Sequence, residues 1–151
     1  MIQRIQSIYL LLIAVCFSIL LFFPLATIDP NYEYSLWSLR SVEGMVKAPT
    51  YYLGLLAIVI SGIALYTIFV YKKRMTQSKL CVAMFLLMLI FLTLMFFVYP
   101  EYVIAKFLGD NAIVNYSYIA ILSVLPMAFV LLANRAILKD EQKVRAADRL
   151  R

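Results

Sequence analysis

Five hydroxyl side chains, Ser18, Ser61, Thr67, Thr93 and Ser123, stand inside apolar runs of this chain. A serine or threonine attacks a substrate only when a neighbouring base takes its proton. Histidine is absent, and no Asp, Glu, Lys or Arg falls within the runs that carry these hydroxyls. In apolar helices such groups bond backbone carbonyls instead. The two cysteines fare no better. Cys16 lies about 18 Å along its helix from Arg4, whereas Cys81 follows Lys79 by two residues. At different depths they are out of disulfide reach, and both read as packing residues. No phosphate-binding glycine loop or Cys/His metal cluster is present. The expectation is a protein that is not an enzyme and holds no cofactor or metal.

The elements that must position these residues follow from the charges. Of 151 residues, 65% are hydrophobic and 15% charged, with mean hydropathy +0.92. That is far more apolar than a soluble domain of this size, and it excludes a disordered chain. No charged residue lies between Arg4 and Asp29, Lys47 and Lys72, Lys79 and Glu101, or Asp110 and Arg135. Each gap is long enough for a helix to cross about 30 Å of hydrocarbon. We place helices near 8–28, 51–71, 80–99 and 116–137, with a cytoplasmic helical tail over 138–151. Barrel strands would be shorter and would alternate polar with apolar; runs such as Phe85-Leu86-Leu87-Met88 do not. The fold class expected is all-α: one integral membrane four-helix bundle over residues 1–151.

Lysine and arginine set the orientation. Eleven of them fall on the side that holds both ends of the chain and the 72–79 loop, and three (Arg40, Lys47, Lys106) on the other. Both termini are therefore expected in the cytoplasm. The net charge of +6 reads as this asymmetry, and as attraction to anionic inner-leaflet lipid, not as a nucleic-acid footprint. The first apolar run is longer than a signal-peptide core and is expected to remain as a helix.

Three groups of residues are candidates for contacts. Gly54, Ala57, Ser61 and Ala64 form a stripe of small side chains on the second helix, a seam for close helix packing. Tyr32, Tyr34 and Trp37 give the first outer loop an aromatic surface suited to the membrane interface or to a partner, and Gly44 offers the turn of a short β-hairpin there. Arg4, Asp140, Glu141, Arg145, Asp148 and Arg149 lie at the cytoplasmic end, where Arg4 is expected to pair with Asp140 or Glu141. Pro126 falls near the middle of the fourth helix, where it removes one backbone hydrogen bond.

The opening Met1-Ile2-Gln3-Arg4-Ile5-Gln6-Ser7-Ile8-Tyr9-Leu10-Leu11-Leu12 resembles that of a family of small four-pass membrane proteins from Bacteroidetes, domain of unknown function 4293. The closing segment, Ala133-Asn134-Arg135-Ala136-Ile137-Leu138-Lys139-Asp140-Glu141 with Val144-Arg145-Ala146-Ala147-Asp148-Arg149-Leu150-Arg151, resembles its end. The resemblance implies a bacterial inner membrane and supports four helices. It implies no activity and no site residues. The function expected is that of a structural or accessory subunit without catalysis. The alternatives are an oligomeric pore or small transporter, and a lipid-binding protein. Intramembrane ionisable residues, the usual mark of an ion pathway, are absent from the four runs. The partners expected are membrane lipids and another membrane protein or a second copy, with no nucleic acid.

Overall fold

Pro24 limits the first helix. Its ring disfavours helical backbone in the residue before it, and it has no N–H to continue the ladder. Helix α1 (Ile2–Leu20) ends ahead of it, in a turn where Phe22 N–H donates to Ile19 O at 3.1 Å. The computed structural model describes residues 2–29, 31–41, 43–71, 73–108 and 113–149, without the side chains of 2–4, 47, 107, 108, 145 and 147–149. The helix expected over 8–28 is thus corrected: its last residues form strand β1 (Ala26–Ile28).

Strands β2 (Tyr32–Tyr34), β3 (Ser38–Ser41), β4 (Val46–Pro49) and β5 (Val114–Tyr116) join it. They form one five-stranded antiparallel sheet in the order β4-β3-β2-β1-β5. Neither an all-α chain nor a lone hairpin describes this end of the molecule. Two turns need left-handed backbone. Asp29 (φ 49°) leaves β1, and Gly44 (φ 86°) turns β3 into β4; both residue types tolerate that region. The sheet is closed by β5, which pairs Ala26 with Tyr116 and Ile28 with Val114.

Helix α2 spans Tyr51–Phe69, close to the expected 51–71. Helix α3 (Arg74–Thr93) continues through a π-helical turn (Leu94–Val98), helix α4 (Tyr99–Val103) and a second π-helical turn (Ile104–Leu108). The expected 80–99 covers only its middle. A 3₁₀ turn (Tyr118–Ala120), capped by Ser117, opens helix α5 (Ile121–Arg149). The helix expected over 116–137 therefore starts later, because Tyr116 belongs to β5, and the tail continues it without a break. Charge-free runs mark apolar stretches and not helix ends: Lys79, Glu101 and Lys139 all sit in helix.

Among the described residues the molecule is mostly helical, with four helical rods. Three stretches are long and apolar enough to cross a membrane: Tyr51–Phe69, Arg74–Lys106 and Tyr118–Val144. The apolar part of α1, Ile5–Leu20, is shorter. α1 packs against α2 and α5, and α3 packs against the same two. Side chains three and four residues apart fill the centre: Leu10, Ile13 and Phe17 from α1, Met84, Met88 and Phe91 from α3, Val130, Ala133 and Ile137 from α5. Phe17 meets Phe91 edge-on at 5.3 Å, a favoured aromatic geometry.

Candidate functional site

The sheet lies where α1 ends, where α2 and α5 begin and where α3 passes into α4. Four bonds fasten it to the helices. Trp37 Nε1 donates to Leu21 O at 2.8 Å, satisfying a carbonyl left over at the end of α1. Gly54 N–H donates to Leu36 O at 3.1 Å. Tyr99 Oη donates to Pro49 O. Tyr116 Oη donates to Phe96 O at 3.1 Å. Pro100 has no N–H to offer the Phe96 carbonyl one turn earlier, and the tyrosine stands in for it.

These contacts revise the role of two candidate groups. Tyr34 is fully buried under the sheet, stacked on Tyr99 with ring centroids 6.1 Å apart, so it is core and not outer surface. Burial, with smaller effects from Tyr116 and Tyr99, pushes its phenol well above the usual range. Its hydroxyl has no partner among the described residues. Tyr32 is half-buried, and Trp37 is 40% exposed. On α2, Gly54, Ala57 and Ala64 are buried and Ser61 is half-buried. A Cβ on Gly54 would lie 2.9 Å from two ring carbons of Trp37. Gly54 therefore admits the close approach of the β2–β3 turn.

A recess of about 410 Å³ opens beside the sheet between Leu21, Phe22, Pro24, Trp37 and the pair Glu33 and Arg40. Glu33 and Arg40 face each other across β2 and β3, and Phe22 is 83% exposed. The sequence places Arg40 only as an outer-side cation and does not set it opposite Glu33; alternation with the inward Tyr34 and Leu39 is the signal that points both outward.

At the far end, Arg74 Nε pairs with Asp140 Oδ2 at 3.4 Å. Ser78 Oγ donates to Asn134 Oδ1 at 2.7 Å, a second tie between α3 and α5. The partner found for Asp140 is thus Arg74; the Arg4 side chain, like those of Arg145, Asp148 and Arg149, lies outside the described residues. Glu141 lines a recess of about 580 Å³ with Tyr71, Lys73 and Arg74.

Four of the five hydroxyls in the apolar runs are engaged by their own helices. Ser18 donates to Ala14 O, Thr67 to Ile63 O, Thr93 to Leu89 O and Ser123 to Ala120 O, at 2.6–2.9 Å. Among the described residues no group of His, Cys, Asp or Glu could hold a metal ion.

The profile of a family described as Domain of unknown function (DUF4293) matches residues 2–150. The chain belongs to this family. No curated protein and no solved structure matches it. For a DUF4293 chain, the two recesses and the sheet between the helix ends are the features that offer contact chemistry.

Proposed function

We propose that this chain is a small accessory subunit of a bacterial inner membrane, built to hold a partner and not to turn over a substrate. It spans the membrane as a four-helix bundle with both termini in the cytoplasm, so the sheet faces outward. Three long apolar helices support the spanning. α1, about 28 Å long at 1.5 Å per residue, suits the fourth crossing. The lysine and arginine asymmetry supports the orientation.

The observation that carries the reading is the sheet itself. Strands from two distant segments are tied to the end of α1, the start of α2 and the junction of α3 with α4, around a recess with exposed aromatics and the opposed charges of Glu33 and Arg40. An exposed aromatic beside opposed charges is the composition of a recognition surface. Mild-detergent purification of a C-terminally tagged copy tests the proposal. A reproducible stoichiometric partner, lost in Arg40→Glu and Phe22→Ser variants, is the result expected. A strictly monomeric, partner-free protein would overturn it. A reporter active only in the cytoplasm, fused after Arg151, checks the orientation separately.

A further inference from the structure

The recess at the far end is a built mixture of charges. Lys73 and Arg74 enter it from the start of α3, and Glu141 faces them from α5. Asp140 sits one residue before Glu141 and pairs with Arg74. The lining thus carries two cations, one of them paired with Asp140, and the carboxylate of Glu141. A polyanionic ligand would meet that carboxylate and be repelled; a simple cation would meet the lysine and arginine. A ligand carrying both a phosphate and an amine satisfies both sets.

On the membrane placement proposed above, the recess stands at the membrane surface. Tyr71 lies two residues past Phe69, the end of the apolar stretch of α2, and tyrosine favours that boundary. Met75 and Val144 supply apolar wall, while Tyr71 and Thr76 supply hydroxyls. Its volume of about 580 Å³ falls in the range of small-molecule sites. We infer that this recess binds the headgroup of a zwitterionic, amine-bearing phospholipid. Lys73 and Arg74 take the phosphate, and Glu141 takes the ammonium group. Charge-assisted hydrogen bonds of both kinds are the stronger class. A headgroup whose amine is fully methylated has no N–H for Glu141, and one with glycerol in place of the amine has no cation.

The inference rests on the membrane placement proposed above, but not on the outer-end partner. The test uses full-length protein in nanodiscs of equimolar phosphatidylethanolamine, phosphatidylcholine and phosphatidylglycerol, followed by native mass spectrometry of retained lipid. Phosphatidylethanolamine is expected to be retained about tenfold over the other two, the value of one charged hydrogen bond. Glu141→Gln is expected to erase its preference over phosphatidylcholine. Lys73→Gln is expected to lower retention of all three, with recovery in Lys73→Arg. Circular dichroism confirms that each variant keeps its helices. Equal retention of the three lipids, or an unchanged preference in Glu141→Gln, would overturn the assignment. Displacement of the lipid by inorganic phosphate or soluble phosphoethanolamine at matched concentration would also overturn it, assigning the recess to a soluble ligand.

Discussion

Replacing Tyr34 by phenylalanine is expected to stabilise this protein. The ring is fully buried and stacked on Tyr99, and phenylalanine keeps that packing. The hydroxyl, however, has no partner among the described residues. An unpaired buried hydroxyl costs about 1–3 kcal/mol, and Tyr34→Phe removes that cost. The pH dependence sharpens the test. The unfolded phenol ionises near pH 10, while the folded one, pushed up by burial, keeps its proton. Above about pH 10 the unfolded state binds fewer protons than the folded state, so stability falls as pH rises. The slope approaches about 1.4 kcal/mol per pH unit for this one group. Below that pH the effect is fully absent. Thermal unfolding in detergent, followed by circular dichroism from neutral to strongly alkaline pH, reads both effects. The variant should melt higher at neutral pH and show a shallower alkaline decline. A lower melting temperature at neutral pH would mean that the hydroxyl is bonded, and would refute the reasoning.

Gly54→Ala places a methyl 2.9 Å from the Trp37 ring, and the overpacking is expected to cost about 1–3 kcal/mol. Trp37 is the single tryptophan, so its fluorescence should shift as the ring is displaced; an unchanged spectrum would count against the close contact. Tyr116→Phe leaves the Phe96 carbonyl without its tyrosine donor next to Pro100. Faster hydrogen exchange should follow at the α4 and β5 junction, for a loss of about 1 kcal/mol. The Arg74–Asp140 pair is partly exposed, so Asp140→Asn should cost at most about 1 kcal/mol. A swap of both charges should restore it, while Arg4→Glu combined with Asp140→Arg should not.

The apolar rods were legible because charge is excluded from hydrocarbon, and four charge-free runs report that exclusion directly. Their ends were not, since a helix passes from lipid into water without changing its backbone; Lys79 and Lys139 are helical on that account. The sheet was legible only in part. Gly44 and the aromatic residues near it marked a turn and extended chain. Ala26–Ile28, as apolar as the helix before it, reveals its strand only through Pro24 and its pairing with Val114–Tyr116. Nothing in the spacing of the α2 stripe reveals that Trp37 lies against Gly54. The partner of Asp140 is Arg74, which depends on which helices are neighbours, and α3 beside α5 is a fact of packing that no local pattern carries.

The seam between β1 and β5 has a consequence for biosynthesis. Asp29 N–H donates to the carbonyl of Ile113 at 3.0 Å, and these two positions are 84 residues apart. A ribosome adding about 5–20 residues each second needs on the order of ten seconds to cover that distance. During this interval β2, β3 and β4 have their neighbours, but one edge of β1 has none. The sheet is complete only once β5 has been made. A nascent chain stalled before Val114 thus carries an open strand edge that quality-control proteases can grip.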